Sequence, residues 1–122
     1  MQVVFDTNIL IDYLNGIEAA RSEILKYSTG LISVLTKMEV LVGVKNVDEE
    51  IHVRLFLKRF KLISLTDDIA ESAIFIRKEL GLKLPDAIIY ATAQTHQCLF
   101  ITRNTKDFPS SMPDVKCPYT LR

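Results

Sequence analysis

The chain has 122 residues, of which 48% are apolar and 25% are charged, and its 15 acidic residues balance 15 basic residues. This length and composition are typical of one soluble globular domain, so a single domain over residues 1–122 is predicted. The balanced charge excludes an overall basic field that would attract nucleic acid, although a local basic patch could still bind it.

The cysteines and the apolar runs limit the protein class further. Cys98 and Cys117 are too few for a disulfide scaffold and lack metal-site spacing, so both are predicted to be buried thiols. No apolar run is as long as a membrane span, and the first residues lack a signal-peptide pattern. We therefore expect a cytoplasmic protein.

Short apolar runs alternate with longer segments of helical periodicity, which predicts a parallel sheet of the α/β class. The predicted strands are residues 3–5, 30–33, 62–65 and 98–102, with a short edge strand at 119–121. The predicted helices cover residues 9–14, 17–27, 36–43 and 66–81, and two more begin at Asp48 and Pro85. With helices on both faces of one sheet, the predicted architecture has three layers, α/β/α.

Local signals define several helix ends. Thr66 is a predicted N-cap, Gly81 ends the same helix, and Pro85 occupies a first-turn position that proline tolerates. The helix from Asp48 is predicted to pack through an apolar stripe. The residues of this stripe are Ile51, Leu55, Phe56 and Phe60.

Acidic side chains lie beside several predicted strands, at the edge of the sheet where the carboxyl ends of the strands meet (the carboxyl edge). Asp6 directly follows the first strand. Glu39 is predicted in the first turn of the helix after the second strand, and Asp86 in the first turn of the helix that leads into the fourth. Asn104 and Asp107 follow that fourth strand. Ligands of open parallel sheets bind at this edge, so we expect these residues to converge there.

Each acid also has an ordinary structural explanation. Asp6 could simply cap the next helix, because Asp is among the best N-cap residues. Glu39 with Thr36 fits a Thr-x-x-Glu capping box. Asp86 suits the positive end of a helix dipole.

A metal site explains the acids together better than these separate roles do. Asp86 is predicted to face the core, and Glu39 to lean toward apolar neighbours, where an uncompensated carboxylate is costly. The predicted neighbours of Glu39 are Leu35, Met38 and Val42. Clustered carboxylates repel one another unless a hard cation such as Mg²⁺ or Mn²⁺ lies among them.

Other titratable residues are given no part in this site. Asp12 and Asp114 lack the placement of the clustered acids and are predicted to be solvated surface residues. His52 lies on a polar helix and His96 at a helix end, where a cation suits the dipole. Neither histidine is assigned to catalysis.

Four segments resemble, in order and with suitable spacing, the motifs of PIN domains. They are residues 5–10 (FDTNIL), 33–39 (SVLTKME), 84–93 (LPDAIIYATA) and 101–108 (ITRNTKDF). The match spans nearly the whole chain, and four motifs in register are far more specific than one. In size the chain most resembles the VapC-type toxins of bacterial and archaeal toxin–antitoxin pairs.

The resemblance implies hydrolysis of RNA with Mg²⁺ or Mn²⁺ held by the acids. It implies Asp6 and Asp86 as main ligands, with Glu39 binding metal directly or through water, or orienting the nucleophile. Many PIN domains have an acid where this chain has Asn104, so either Asp107 supplies the fourth carboxylate or Asn104 is a neutral ligand. The supporting polar residues would be Thr7, Asn8 and Thr102.

A single-stranded RNA substrate would need basic contacts in addition to the metal. The candidates are Arg77, Lys78 and Lys83, which precede Asp86, and Arg103 in the fourth motif. A second set shares one helical face and is interpreted as solvated surface. These residues are Arg54, Lys58 and Lys61.

The resemblance also implies protein partners. A toxin of this type is bound by a cognate antitoxin, through a groove near the active site, and homodimers are common among similar proteins. In this chain Leu10, Ile11 and Leu14 of the first predicted helix are candidates for part of such a surface.

Other classes with an acidic pocket are alternatives to the nuclease. A haloacid-dehalogenase-like phosphatase would have a second Asp two residues after the first, where this chain has Asn8. A response-regulator receiver would have an acidic pair after the first strand, where this chain has only Asp6, and a lysine that ends the last strand. Asp67 and Asp68, after the third strand, would suit a receiver. A PIN relative that binds without metal would not be expected to keep Asp6, Glu39 and Asp86 together.

Overall fold

The computed structural model of the protein describes residues 1–121 and places one five-stranded sheet between two layers of helices. All strand pairs are parallel, and the strand order β3-β2-β1-β4-β5 puts the first strand in the middle. The strands are β1 (Gln2–Phe5), β2 (Thr29–Ser33), β3 (Lys61–Ile63), β4 (Leu99–Ile101) and β5 (Val115–Lys116). The helices are α1 (Thr7–Leu14), α2 (Glu18–Leu25), α3 (Val34–Val42), α4 (Val47–Leu57), α5 (Asp67–Leu80) and α6 (Leu84–Thr95). The predicted three-layer α/β/α architecture is confirmed.

The central strand β1 supplies side chains to both cores. Val3 and Phe5 pack on the α1–α4 side of the sheet, and Val4 packs on the α5–α6 side. All three are fully buried. Successive side chains of a strand point to opposite faces, so a strand covered on both faces must be apolar at every position.

Each face of the sheet has its own apolar core. On one face the helices contribute Ile9, Leu10, Ile24, Val40, Val53 and Phe56. On the other face they contribute Ile69, Ala73, Ile76, Ala87, Ile89 and Tyr90. In the part of the chain that the structure describes, no helix is long and apolar enough to cross a membrane.

The predicted ends of α5 and α6 are confirmed. Thr66 Oγ1 accepts a 3.3 Å hydrogen bond from the Ile69 N–H and caps α5. Gly81 ends α5 with φ of 70°, a left-handed conformation that glycine adopts without strain. Pro85 lies in the first turn of α6, which also contains Asp86. The local sequence therefore fixes where Asp86 enters the fold.

The predicted start of α3 is wrong. Ser33, not Thr36, is the N-cap, and its Oγ accepts a 3.1 Å hydrogen bond from the backbone N–H two residues later. Thr36 lies inside the helix, so it forms no capping box with Glu39, which falls beyond the first turn. The apolar surroundings predicted for Glu39 are also wrong, because Glu39, Met38 and Val42 are all exposed.

Helix α4 packs through only part of the predicted stripe, of which Phe56 and, just after the helix, Phe60 are buried as predicted. It buries Val53, Phe56 and Leu57, whereas Ile51 and Leu55 are 53% and 58% exposed. Apolar residues surround this helix on nearly every side, so periodicity alone could not select the packed face.

The end of the chain also differs from the prediction. The last described strand, β5, is Val115–Lys116 rather than residues 119–121. Pro118 has no backbone N–H for a sheet ladder, which explains why the strand ends before it. Cys98 is buried as predicted, whereas Cys117 is only partly buried, and both thiols are free.

Gly30 in β2 lies directly beneath two aromatic rings. A Cβ atom at this position would lie 2.7 Å from Phe5 Cε2 and 3.0 Å from Phe60 Cδ1. The two rings make an edge contact with centroids 5.8 Å apart. Glycine is therefore required here for close packing.

Candidate active site

The acids predicted to converge, here called the acidic group, are Asp6, Glu39, Asp86 and Asp107. Asp6 follows β1 and is only 4% exposed. Its Oδ1 accepts a 2.8 Å hydrogen bond from the Thr7 N–H, so Asp6 does cap α1. Its Oδ2 accepts hydrogen bonds from the Thr102 hydroxyl at 2.7 Å and the Asn8 amide at 3.1 Å. Capping thus involves one oxygen and leaves the other facing the end of β4.

Glu39 is connected to this region through Thr7. The Oγ1 atom of Thr7 lies 2.7 Å from Glu39 Oε1 and 3.0 Å from Thr36 Oγ1. Because a hydroxyl has one proton, Thr7 donates to the carboxylate and accepts from Thr36. Glu39 therefore reaches from α3 to the start of α1 while its side chain remains exposed.

Asn8 connects the ends of β1 and β4. Its Nδ2 lies within hydrogen-bond distance of Asp6 Oδ2 and, at 3.2 Å, of Thr102 Oγ1. Its Oδ1 accepts a 3.1 Å hydrogen bond from the Arg103 N–H. Every polar atom of the Asn8 side chain is thus used to hold the two strand ends together.

The two candidates for the fourth position, Asn104 and Asp107, are hydrogen-bonded to each other. Asn104 Nδ2 donates to Asp107 Oδ2 at 2.9 Å, and the Asp107 N–H donates to Asn104 Oδ1 at 3.2 Å. The Asn104 N–H also donates to Thr102 Oγ1 at 3.0 Å. Asn104 therefore orients the carboxylate of Asp107, which is exposed.

The environment of Asp6 disfavours its charged form. Burial is the main cause that raises the pKa of Asp6 to about 6, although hydrogen bonds from Thr102 and the Thr7 N–H oppose the rise. The charges of Asp86 and Glu39 raise this pKa further. When carboxylates share a site, the negative charge of each one disfavours the ionisation of the others.

The environment of Asp86, which lies on α6, also disfavours the charged form. Burial first, and then the charges of Asp107 and Glu39, raise the pKa of Asp86, while Lys83 opposes the rise. Asp86 is half-buried, so water screens part of this effect. The charge of Glu39 therefore acts on both Asp6 and Asp86, and the charge of Asp107 acts on Asp86.

A hard divalent cation is the group whose chemistry suits this arrangement. Carboxylate oxygens are the donors that Mg²⁺ and Mn²⁺ prefer, and a cation would offset the repulsion. Within residues 1–121, no three Asp, Glu, His or Cys side chains lie close enough together to hold one ion as they stand. Glu39 and Asp107 are exposed, however, so their side chains have room to turn toward Asp6 and Asp86. The donor chemistry fits, and ion binding requires these side chains to close.

The sequence profile of the PIN domain family matches residues 3–110. The chain belongs to the PIN domain family. The match covers the whole acidic group and the polar residues that surround it. It also decides against the receiver and phosphatase alternatives.

Several solved structures resemble this PIN domain. A chain from a toxin–antitoxin complex of Klebsiella pneumoniae is 46% identical, with a TM-score of 0.92, and the alignment covers 98% of this chain and 99% of that one. FitAcB from Neisseria gonorrhoeae is 23% identical, with a TM-score of 0.80 and coverage of 99% and 100%. VapBC2 from Rickettsia felis, bound to a promoter DNA fragment, is 20% identical, with a TM-score of 0.76 and coverage of 95% and 98%. These last two likenesses show the fold alone. The search of curated proteins gives no match.

Asp12 of this PIN domain is not the solvated acid that was predicted. It is 3% exposed and accepts hydrogen bonds from Arg103 Nε at 2.6 Å and Nη2 at 3.0 Å. The Tyr119 hydroxyl donates to Asp12 Oδ2 at 2.7 Å. The prediction is wrong because the pattern within α1 cannot show that the end of the chain covers this part of the helix.

Asp114 is also wrongly predicted as a solvated acid. It is half-buried, and the Tyr90 hydroxyl lies 2.9 Å and 2.8 Å from its two carboxylate oxygens. Gln94 Nε2 lies 3.4 Å from Asp114 Oδ2. This contact helps to fasten the loop before β5 onto α6.

Some of the predicted RNA-binding side chains are hydrogen-bonded within the protein, and others are exposed to solvent. Arg103 is bound to Asp12, and Arg77 Nη1 donates to the Leu82 carbonyl at 2.8 Å, so both cations already have protein partners. Lys78 and Lys83 are exposed. Lys83 is the cation whose charge reaches Asp86.

A groove borders the acidic group between α1, α3 and α4. It is lined by Ile11, Leu14, Asn15, Glu39, Val40, Gly43, Val44, Glu49, His52 and Val53. Ile11 and Leu14 are 39% and 38% exposed and can contribute to a binding surface as predicted. The prediction that Leu10 does so is wrong, because Leu10 is fully buried in the core.

Proposed function

We propose that this PIN domain is a Mg²⁺- or Mn²⁺-dependent endoribonuclease that hydrolyses RNA phosphodiester bonds. The observation that carries the proposal is the approach of four carboxylates to one another at the carboxyl edge, where burial first and repulsion between the acids second raise the pKa of both Asp6 and Asp86. Carboxylates alone would repel an anionic phosphodiester. A bound cation reverses the local electrostatic field, so that a site made of these residues can attract the phosphodiester.

The burial of each acid suggests its role in holding the ion. Asp6 and Asp86 are the least exposed members and would be the main ligands of the ion. Asp107, oriented by Asn104, would supply the fourth carboxylate. When bound, the ion would lower the pKa of a water molecule so that hydroxide is available near neutral pH.

The surrounding polar residues would keep the carboxylates in position. Thr102 and Asn8 hold Asp6 Oδ2, and the Thr7 N–H holds Asp6 Oδ1. Thr7 Oγ1 binds Glu39 Oε1, which leaves Oε2 free to orient the attacking water and accept its proton. Such supporting hydrogen bonds fix ligand direction in metal sites.

The RNA backbone would contact the exposed lysines beside α6. Lys83 already influences the ionisation of Asp86, and Lys78 is an exposed residue in the last turn of α5. Arg77 and Arg103 contribute less, because each is hydrogen-bonded within the protein. Removing a phosphate contact should weaken binding of all RNA sequences about equally.

We further propose that the enzyme is the toxin of a toxin–antitoxin pair. Support comes from the chain of the Klebsiella pneumoniae toxin–antitoxin complex, which is 46% identical over nearly the whole length. A protein antitoxin with an apolar segment would fit the groove that contains Ile11, Leu14 and Glu39. Binding there would cover Glu39 and inhibit the nuclease. Homodimerisation stays a prediction.

Cleavage of single-stranded RNA by the purified protein tests the nuclease. We expect cleavage with added Mg²⁺ or Mn²⁺ and none with EDTA. Asp6→Asn and Asp86→Asn should each reduce the rate at least ~100-fold if these residues hold the catalytic ion. Asp68→Asn changes an exposed acid of α5 and serves as the matched control, with activity unchanged. Equal cleavage in EDTA, or full activity of both site variants, would contradict the proposal.

Two further measurements separate the parts of this proposal. Mn²⁺ should raise the melting temperature of the wild type and of Asp68→Asn but not of Asp6→Asn, which reports ion binding without reference to cleavage. Induced expression in a bacterium should arrest growth, and Asp6→Asn should abolish the arrest. Growth without arrest, alongside cleavage in vitro, would support a housekeeping nuclease and exclude the toxin.

A further inference from the structure

Asp12, which is buried, forms an ion pair with the half-buried Arg103 next to the acidic group. Asp12 lies on α1, and Arg103 lies in the loop of residues 102–107 that follows β4. The guanidinium binds both carboxylate oxygens, with distances of 2.6 Å from Nε and 3.0 Å from Nη2. Two parallel hydrogen bonds of this kind fix the orientation of a guanidinium as well as its distance.

Tyr119 completes the pair from the end of the chain. Its hydroxyl donates to Asp12 Oδ2 at 2.7 Å. Burial and the neighbouring Asp12 carboxylate raise the pKa of Tyr119, so the hydroxyl keeps its proton and remains a donor. With three donors on its two oxygens, the Asp12 carboxylate is fully satisfied although it is almost inaccessible to water.

Hydrogen bonds lead from this pair to the acidic group. The Arg103 N–H donates to Asn8 Oδ1 at 3.1 Å, and Asn8 Nδ2 lies 3.1 Å from Asp6 Oδ2. The next N–H along the chain, that of Asn104, donates to Thr102 Oγ1. The position of Arg103 therefore sets the path of the backbone that carries Thr102 and Asn104.

A purely stabilising role explains the pair poorly. Buried ion pairs lose much of their Coulombic gain to desolvation, and apolar replacements are often as stable. A bidentate pair instead restricts the position and orientation of the residues that form it. Here it restricts the loop of residues 102–107, which supplies a hydrogen bond to Asp6 and contains the carboxylate of Asp107.

We propose that Asp12 is a positioning residue for the active site. By holding Arg103, with Tyr119 as a second contact, it fixes the loop of residues 102–107 relative to Asp6. Asp12 touches neither substrate nor metal and acts only through Arg103. This inference rests on the proposed nuclease for its effect on cleavage, but its effect on the loop can be measured without it.

The protein contains a second ion pair of matching chemistry that serves as a control. Glu23 is 2% exposed and accepts hydrogen bonds from Lys116 Nζ at 2.7 Å and the Tyr27 hydroxyl at 2.9 Å. Like Asp12, it is a buried carboxylate with a cation from a distant segment and a tyrosine. Within residues 1–121, none of its side-chain hydrogen bonds reaches the acidic group.

Amide hydrogen exchange in Asp12→Asn and Glu23→Gln tests the proposal. The reporters are the N–H groups of Asn104 and Phe108, which donate to Thr102 Oγ1 and to the Asn104 carbonyl, both at 3.0 Å. We expect Asp12→Asn to accelerate their exchange while exchange in α5 is unchanged. Glu23→Gln should leave the reporters unchanged. Asp12→Glu, which keeps the carboxylate, should restore part of the protection, and Tyr119→Phe should give a smaller acceleration than Asp12→Asn.

Steady-state cleavage of RNA by the same variants gives the functional measure. Asp12→Asn should lower kcat at least ~10-fold with KM unchanged, because small misplacements of reacting groups are costly to rate rather than to binding. Glu23→Gln should leave both constants unchanged at a temperature where the variant is folded. Equal reporter exchange in Asp12→Asn and wild type would overturn the proposal, as would faster exchange with kcat unchanged. A wild type that cleaves no RNA with either metal refutes the nuclease alone, and the exchange data then still decide whether Asp12 positions the loop.

Discussion

Thr102 Oγ1 donates a 2.7 Å hydrogen bond to Asp6 Oδ2 and so joins two residues 96 positions apart in the sequence. The contact follows from strand order, because β1 and β4 are neighbours and Phe5 pairs with Ile101. The residues that follow this pair emerge side by side at the carboxyl edge. The register between β1 and β4 therefore places Thr102 beside Asp6.

Thr102→Val should weaken both metal binding and RNA cleavage. The substitution keeps the shape of the side chain but removes a hydrogen bond that favours the charged form of Asp6. Hydrogen bonds to charged groups contribute about 1.5–3 kcal/mol, so we expect the rate to fall about 10- to 100-fold at neutral pH. Thr92→Val is the matched control, because Thr92 is equally buried but bonds to the Ile88 carbonyl within α6. Equal rates in the two variants would contradict this role of Thr102.

The metal-free protein should lose stability as the pH rises through the titration of Asp6. Its folded pKa of about 6 lies above the unfolded value of 3.8, so the folded state binds the proton more tightly. The contribution of this group to stability is then greatest below about pH 4, falls as the pH rises from 4 through 6, and is smaller by at most about 3 kcal/mol at pH 7.

Asp6→Asn should remove this dependence and raise the melting temperature at pH 7 in EDTA. Melting curves between pH 4.5 and 7.5 measure it, with Asp68→Asn as the exposed control. A wild type and an Asp6→Asn variant whose stabilities change in parallel with pH would refute the assignment.

Glu23 should make the fold sensitive to acid in the opposite direction. Burial would raise its pKa, but hydrogen bonds from Lys116, Lys26 and Tyr27 outweigh burial and lower the pKa below the usual value. The stabilisation is therefore present above the ordinary pKa of a glutamate and is lost as the pH falls through the lowered one.

Glu23→Gln should cost about 1–3 kcal/mol of unfolding free energy at pH 7, because it removes a charged acceptor from several donors. Urea denaturation at pH 7 and pH 4 measures the change, which should shrink at the lower pH. Glu18→Gln alters an exposed pair with Arg21, whose atoms lie 3.5 Å apart, and should have little effect at either pH. A cost for Glu23→Gln that is the same at both values of pH would contradict the prediction.

Gly30→Ala should destabilise the protein. The new methyl group would meet the ring of Phe5 at 2.7 Å and that of Phe60 at 3.0 Å, so at least one ring must move. Overpacking of this kind costs about 1–3 kcal/mol. Gly43→Ala is the control, because its Cβ would have only the Val40 carbonyl nearby, at 3.6 Å. Thermal denaturation should separate the two variants, and equal melting temperatures would show that the rings yield without cost.

The sequence predicts best those features that depend on neighbouring residues. The apolar run before Asp6, the N-cap at Thr66 and the proline before Asp86 define local structure, and the order of strands and helices then brings the acids to one edge. The family resemblance rests on the same segments, and its confirmation follows from them.

Features that depend on distant contacts are predicted poorly. Asp12 and Glu39 show this most clearly. The partners of Asp12 are 91 and 107 positions away, so nothing near it in the sequence distinguishes it from a surface acid. The sequence predicts Glu39 in the first turn of a helix that starts at Thr36, but Ser33 caps this helix and Thr36 contacts Thr7 inside it. Arg103 is an RNA-binding candidate from its place in the fourth motif, and nothing near it in the sequence indicates that Asp12 binds its side chain.

The central position of β1 has a consequence for synthesis of the protein on the ribosome. Strand β1 must wait for β4 and β5, which follow all the other strands in the sequence, before that half of the sheet can form. Asp6 therefore gains Thr102 only after 96 further residues have been synthesised, and Asp12 gains Tyr119 only after 107. Until then the acids of the emerging polypeptide lack these partners, and the candidate active site stays incomplete.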